Sequence, residues 1–137
     1  MVKTKYILLI ILFIVLDQLT KNFFKDKHFS IINYTENSGA AFSLFQGFTL
    51  LLITISLIVL IITLYYFITL TKLNLKLNYS FILIISGTSG NLIDRIFLGV
   101  VRDFIDFKIW PIFNLADSYN VIGFILLLIY FNRKSSK

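Results

Sequence analysis

Two acidic side chains in the last third of the chain are spaced for acid–base chemistry. Asp103 and Asp117 stand 14 positions apart in a mostly apolar protein that contains only seven Asp and Glu residues. Ionisable side chains in such surroundings are costly, and they normally pair, meet water or take part in a reaction. Two carboxylates held close together share one proton and titrate as a unit. Such a pair can activate water and protonate a leaving amine, as aspartic peptidases do, so both residues are candidates for catalysis.

Purely structural roles compete with this interpretation. Asn114 and Asp117 lie where the fourth apolar helix is predicted to begin, and Asn and Asp commonly cap helices there. Asp106 follows Asp103 by three positions in a segment that we interpret as a loop. If this segment is helical the two carboxylates share a face, and if it is extended they do not. The residues alone therefore leave open whether Asp106 belongs to the pair.

Other polar residues occur at helical spacing inside apolar stretches. Asp17 precedes Lys21 by four positions, which favours an ion pair on one helix face. This pair could simply make the end of its helix tolerable in a membrane, or it could orient a polar site. Asn91, Asp94 and Arg95 are three and four positions apart, so they are predicted to face the interior of a helix bundle. There Arg95 can hold a carboxylate or a backbone carbonyl.

Other kinds of chemistry are poorly supplied. The chain has no cysteine, which excludes disulfides, thiolate metal sites and cysteine nucleophiles. Its single histidine, His28, is interpreted as an ordinary loop residue, which disfavours a histidine-dependent triad. The sequence has neither a recognisable metal-ligand spacing nor a phosphate-binding glycine loop. We therefore expect no metal and no cofactor.

The composition is that of an integral membrane protein. Hydrophobic residues make up 58% of the 137 residues, and the mean hydropathy is +0.86, above the norm for soluble proteins. A helix needs about 20 residues to cross a bilayer, and the predicted spans are about residues 6–23, 48–70, 79–97 and 116–131. We predict one domain, residues 1–137, of the all-α membrane class. A cleaved signal peptide is the alternative for the first span, but no small-residue cleavage site follows it.

The charge distribution predicts the orientation in the membrane. With four spans, both termini and the linker between the second and third spans share one side. None of the acidic residues lies on that side, whereas several basic residues do: Lys3, Lys5, Lys72, Lys76, Arg133, Lys134 and Lys137. By the positive-inside rule this side is cytoplasmic, so the carboxylates act at the extracytoplasmic face. The net charge of +6 thus reflects topology, and we expect no nucleic-acid partner.

Two segments remain on the outer side, about residues 22–47 and 96–115. The sequence FSIINYT in the first segment is rich in β-branched and aromatic residues and predicts a short strand or two. Trp110 in the second segment is interpreted as an ordinary interfacial anchor. In the third span, SGTSG at residues 86–90 places small residues where another helix can approach closely.

Five short motifs resemble those of the lipoprotein signal peptidases, the type II signal peptidase family of bacterial inner membranes. They occur in the family's order and cover nearly the whole chain: DQLTK (17–21), NSGAAF (37–42), GNLIDR (90–95), GVVRDFIDF (99–107) and FNLADS (113–118). Three features depart from the family pattern. Arg102 stands where the family usually has an apolar residue, Tyr119 and Asn120 are unusually polar, and the loop between the aspartates is short.

The resemblance implies a membrane aspartic endopeptidase that removes the signal peptide of diacylglyceryl-modified prolipoproteins, N-terminal to the lipid-modified cysteine. It makes Asp103 and Asp117 the catalytic dyad and leaves Asp106 outside it. It also implies a small extracytoplasmic β-rich cradle, formed partly by residues 22–47. The supporting residues that it implies around the substrate are Asp17, Lys21, Asn37, Gly39, Asn91, Asp94, Arg95 and Asn114.

The implied location is the bacterial cytoplasmic membrane, as a multi-pass protein with both termini cytoplasmic and the active site at the outer face. The partners are prolipoprotein substrates and membrane lipid, and a monomer is compatible with the sequence. One alternative is a small proton-coupled transporter or channel, in which carboxylates lie near helix centres and paths open to both sides. Another is a scaffold protein that uses the SGTSG face for partners. The clustering of the acidic residues on one side favours the enzyme.

Overall fold

Four long helices form the body of the protein. The computed structural model describes residues 2–39, 44–70 and 75–135. The helices are α1 (Val2–Phe23), α2 (Thr49–Leu70), α3 (Leu75–Leu98) and α4 (Leu115–Ser135). Each contains a stretch of 19 to 22 residues that is long and apolar enough to cross a membrane. The predicted class, a helical membrane protein with four transmembrane helices and a small sheet, is confirmed.

Helix α3 is the central helix of the bundle. In the apolar stretch of α3, 61% of the residues are buried, against 11 to 17% in the apolar stretches of the other three helices. Each of α1, α2 and α4 packs against it. The SGTSG segment lies on this helix, and Gly87 faces Ala116 and Asn120 of α4. The predicted close approach of a second helix at SGTSG is therefore confirmed.

Two polar residues near the start of α4, Tyr119 and Asn120, contact neighbouring helices. Thr88 of α3 donates a hydrogen bond to Asn120 Oδ1 over 3.2 Å. The ring of Tyr119 lies 5.1 Å from that of Phe13 in α1. Both of these half-buried side chains thus contribute to contacts between helices.

A three-stranded antiparallel sheet covers one end of the bundle. Its strands are β1 (His28–Phe29), β2 (Ile32–Asn37) and β3 (Val101–Ile105), in the order β1-β2-β3. The first two strands form a hairpin over FSIINYT, where a short strand or two was predicted. The third was not predicted, because we interpreted its segment as a loop. In the register of β2 with β3, Thr35 pairs with Asp103 and Asn37 with Val101.

A glycine turn connects the central helix to β3. The amide of Gly99 donates to the carbonyl of Arg95 over 3.1 Å, and Gly99 has a φ of +77°. This left-handed conformation ends helices at low cost only for a residue without a side chain. The chain can therefore leave α3 at Leu98 and begin β3 at Val101, so that Asp103 returns beside the end of α3.

Candidate active site

A strand and a helix start present the two candidate carboxylates to each other. Asp103 lies in β3 rather than in a loop, and Asp117 lies in the first turn of α4. Asn114 is the N-cap of α4, because its Oδ1 accepts the Asp117 amide over 2.9 Å. In return Asp117 Oδ2 accepts the Asn114 amide over 3.1 Å. This reciprocal capping box confirms the capping role and fixes one oxygen of Asp117.

Two asparagines bridge the carboxylates. The Nδ2 of Asn114 donates to Asp103 Oδ1 over 2.6 Å, and the Nδ2 of Asn91 donates to Asp117 Oδ1 over 2.7 Å. The two asparagines also meet, since Asn114 Nδ2 lies 3.1 Å from Asn91 Oδ1. Side chains from α3, β3 and α4 thus hold the pair through one connected set of amides. Asp117 therefore does more than cap the helix, because its second oxygen accepts a hydrogen bond from Asn91 in this amide network.

The β2 strand closes the site from the side of the sheet. Asn37 Nδ2 donates to the second oxygen of Asp103 over 3.1 Å. The Oδ1 of Asn37 accepts the amide of Gly39 over 2.9 Å, and Arg95 Nη2 donates to the Gly39 carbonyl over 3.2 Å. Arg95 therefore holds a backbone carbonyl, one of its two predicted partners. Residues 40–42 of the same motif lie outside the described part of the chain.

The surroundings of Asp103 favour its protonated form. The side chain is only 2% exposed, and burial together with the charge of Asp117 raises its pKa to about 7. Hydrogen bonds from Asn37 and Asn114 act in the opposite direction, because they stabilise the ionised carboxylate. The pKa of Asp103 consequently lies near neutrality, where a carboxyl group can both hold and release a proton.

A buried charge cluster lies behind the dyad, on the side of α1. The predicted ion pair is present, with Lys21 Nζ 2.8 Å from Asp17 Oδ2. The same ammonium group lies 3.3 Å from Asp94 Oδ2 and donates to Asn91 Oδ1 over 2.9 Å. All three charged side chains are fully buried, and buried charges persist only when they are paired and hydrogen-bonded. Lys21 therefore connects the cluster directly to an asparagine that bridges the dyad.

Helix α3 leaves room for this cluster at Gly90. A Cβ atom at this position would come within 2.5 Å of Asp17 Oδ2 and 3.2 Å of Ala116 Cβ. The Asp17 carboxylate fills the space, and its Oδ1 accepts the amide of Ala116 over 3.0 Å. Three helices thus converge on one carboxylate, which explains why a glycine precedes Asn91.

Three cluster residues were not predicted from the sequence. Gln18 donates to Asp94 Oδ1 over 3.1 Å and accepts from Arg102 over 2.7 Å, and Asn22 also accepts from Arg102. Gln18 and Asn22 are four positions apart, beside Asp17 and Lys21, so helical periodicity could have placed them at the site. A cation next to Asp103, in a segment whose other residues are apolar, was the available signal for Arg102.

Asp106 stands apart from the dyad. Its Oδ1 accepts the amide of Lys108 over 2.8 Å, and its Oδ2 accepts from Asn33 over 2.9 Å. The hydrogen bond from the Lys108 ammonium group is the largest of the effects that lower the Asp106 pKa to about 2. Asn33 also contacts His28, which lies exposed on β1. These contacts fix the turn after β3 and supply no link to Asp103.

Known proteins resemble this chain along most of its length. The family model described as signal peptidase (SPase) II matches residues 9–133. A lipoprotein signal peptidase of Caldanaerobacter subterraneus subsp. tengcongensis is 49% identical over 102 residues, which cover 74% of this chain and 70% of that protein. One of Clostridioides difficile is 44% identical over 138 residues, which cover 91% and 93% of the two chains.

Solved structures agree with these sequence relatives. A bacterial membrane enzyme determined by the in meso method at 2.3 Å resolution superposes with a TM-score of 0.89 at 32% identity, covering 97% of this chain and 90% of that one. A second, determined at 1.9 Å, gives a TM-score of 0.83 at 34% identity, covering 93% and 92%. With a family match over nearly all of its residues, this four-helix membrane protein belongs to the signal peptidase II family and is a peptidase that cleaves the signal peptides of lipoproteins.

Proposed function

We propose that the protein is an aspartic endopeptidase whose catalytic dyad is Asp103 and Asp117. Its substrates are diacylglyceryl-modified prolipoproteins, cleaved N-terminal to the lipid-modified cysteine. One observation carries the mechanistic part: the two carboxylates come from separate elements, yet Asn91 and Asn114 join them in a single hydrogen-bond network. Such a pair, with one proton between two acids, is the device of aspartic peptidases.

The chemistry needs only water and the two carboxylates. The ionised carboxylate accepts a proton from a water molecule while the oxygen of that water bonds to the scissile carbonyl carbon. The protonated carboxyl donates its proton to the carbonyl oxygen. When the tetrahedral intermediate collapses, the C–N bond breaks, the new amine takes up the proton that the dyad holds, and one hydroxyl of the intermediate gives its proton to the other carboxylate. The products are a carboxylic acid and an amine, and the dyad again holds one proton.

The neighbouring residues would then position dyad and substrate. Asn91 and Asn114 orient the carboxylates, and Lys21, supported by Asp17 and Asp94, holds Asn91 in place. Asn37, Gly39 and Arg95 form the edge of the site beside β2. At membrane depth, the N–H and C=O groups of an extended substrate backbone need hydrogen-bond partners. The polar edge of the site can supply these partners.

The membrane supplies the substrate laterally. A lipid-modified prolipoprotein diffuses in the bilayer plane, so the end of its signal peptide reaches a site at the outer interface. This proposal places both termini in the cytoplasm and the dyad at the extracytoplasmic face of the bacterial cytoplasmic membrane, following the distribution of Lys and Arg. A monomer is compatible with the proposed site, because each residue assigned to it belongs to one chain. Neither the family nor the named relatives support the alternative of a transporter or channel.

A cleavage assay tests the substrate class. The purified protein in detergent is incubated with a prolipoprotein that carries the diacylglyceryl group and with the same protein lacking it. We expect the shorter product only from the lipidated substrate, and we expect Asp103→Asn to abolish it. Equal cleavage of both substrates would overturn the proposed specificity, whereas full activity of folded Asp103→Asn would overturn the aspartic mechanism.

A further inference from the structure

Arg102 points away from Asp103 and into the charge cluster. Successive side chains of a strand lie on opposite faces, and in β3 the carboxylate of Asp103 meets Asn37 and Asn114. The guanidinium group of Arg102 instead donates to both oxygens of Asp94, at 2.7 and 3.2 Å. Two adjacent residues of one strand therefore serve the dyad and the cluster behind it.

Each of the three guanidinium nitrogens of Arg102 donates a hydrogen bond. Besides Asp94 it reaches Gln18 and Asn22 on α1, and its backbone amide donates to Asp94 Oδ2 over 3.0 Å. The residue is only 7% exposed, and its bonds to Asp94 raise the pKa of the guanidinium group, which stays charged. The planar guanidinium group of arginine has five N–H donors in a fixed geometry, so it suits a bidentate buried pair with a carboxylate better than a lysine ammonium group does.

The cluster is balanced in charge. Its two carboxylates, Asp17 and Asp94, face two cations, Lys21 and Arg102. Because Arg102 neutralises Asp94 at close range, the ammonium group of Lys21 can pair with Asp17 and still donate to Asn91. If Arg102 were apolar, Lys21, whose Nζ already lies 3.3 Å from Asp94 Oδ2, would be the cation left in contact with Asp94 and would be drawn closer to it and away from Asn91.

We propose that Arg102 is a positioning residue that neutralises Asp94 and so leaves Lys21 free to hold Asn91 between the two dyad carboxylates. This inference rests on the proposed aspartic mechanism. The expected consequence is that Arg102 sets the pH range in which the dyad holds one proton.

The sign of the effect follows from electrostatics. Removing a cation near a carboxyl group disfavours its ionised form and so raises its pKa. Loss of Arg102 should therefore shift both pH limits of activity upward, that is, the acidic and the alkaline pH at which activity falls to half. Removing the charge of Asp94 should shift them downward. A unit charge about 10 Å away at an effective dielectric near 20 moves a pKa by about one pH unit. The charged groups that surround Asp103 in this balance are Asp117 on α4, Asp17 and Lys21 on α1, Asp94 and Arg95 on α3, and Glu36 and Arg102 on the strands.

The test is the pH dependence of kcat/KM for the lipidated substrate in the full-length protein. Arg102→Met should shift both limits up by about one pH unit and lower kcat. Arg102→Lys keeps the charge and should keep the wild-type limits, with a smaller loss of kcat. Asp94→Asn should shift the limits down, and the double variant Arg102→Met/Asp94→Asn, which is again neutral, should return them close to those of the wild type.

These variants distinguish a failure of the role proposed for Arg102 from a failure of the aspartic mechanism. Wild-type limits in folded Arg102→Met would show that the residue serves only the fold and would overturn the inference. If Arg102→Met does not fold, the double variant decides, because limits equal to those of Asp94→Asn alone would also overturn it. Full activity of folded Asp103→Asn would instead remove the aspartic mechanism itself.

Discussion

Asn114 joins Asp103 through a hydrogen bond of 2.6 Å while it caps the helix that carries Asp117. One side chain thus sets the strand and the helix of the dyad in a fixed relationship. The cap uses its Oδ1, and the bond to Asp103 uses its Nδ2. Substitutions can therefore separate the two roles.

Asn114→Ser should keep the cap and lose the amide donor, because a serine hydroxyl accepts at the N-cap position as well as asparagine does. We expect near-normal thermal stability with activity reduced by about 100-fold, the size of a lost hydrogen bond to a charged group in a reacting site. Asn114→Ala should lose activity and also about 1 kcal/mol of stability. Thermal unfolding and kcat/KM measured on both variants check this, and an active Asn114→Ser variant would contradict it.

The dyad should behave as one unit. Asp103→Asn and Asp117→Asn should each abolish cleavage, and the double variant should be scarcely worse than either single one, because residues that act together are strongly non-additive. All three proteins should insert and fold. Single-turnover cleavage assays on matched amounts of folded protein provide the measurement, and additive losses would argue that the carboxylates act separately.

Activity should fall as the pH rises through about 7, the pKa of Asp103. Below this pH the dyad retains the proton that must pass to the carbonyl oxygen, and above it both carboxylates are ionised. Stability should change in the same direction. A carboxyl group whose pKa is raised from 3.8 to about 7 on folding costs stability between these values and destabilises the folded protein increasingly as the pH rises.

The unfolding temperature of the wild type should therefore decrease between about pH 4 and 7 and level off above that range, and Asp103→Asn should flatten this dependence. Asp103→Asn serves as the matched control, since it removes the titrating group and keeps the shape. An equally steep decrease in that variant would assign the titration to another residue.

Asp106→Asn should keep a substantial fraction of activity. Its carboxylate fixes the turn at Lys108 and contacts Asn33, outside the dyad network. We expect a loss of about tenfold, from a less ordered turn after β3. Cleavage rates of the folded variant, compared side by side with Asp103→Asn, measure this. A loss as complete as that of Asp103→Asn would mean that one carboxylate has been misassigned.

Reporter fusions test the proposed topology. A reporter after Lys137 should report the cytoplasm, and one at Lys25 should report the outer side, because the basic residues flanking the spans favour that orientation. A cytoplasmic signal at Lys25 would move the dyad to the wrong face for a prolipoprotein substrate.

The strongest sequence signals were those that repeat along one element. The apolar stretches predicted four helices, and the four-residue spacing of Asp17 and Lys21 predicted their ion pair. β3 was not predicted because both of its faces are buried, from Val101 through Phe104. A strand covered on both sides loses the alternation that identifies strands. The partners of Arg102 were equally hidden, since Asp94 meets it only where the turn at Gly99 brings β3 back along α3.

The order of the elements along the chain constrains how this protein is made. Lys21 and Asp17 are synthesised first, but their remaining partners come later, from Asn91 and Asp94 on α3 and from the Ala116 amide on α4. While the ribosome is still producing the second half, the first helix holds an ion pair in the membrane with incomplete hydrogen bonding. A chain interrupted before α3 therefore keeps two charged side chains whose hydrogen bonding only the later helices can complete.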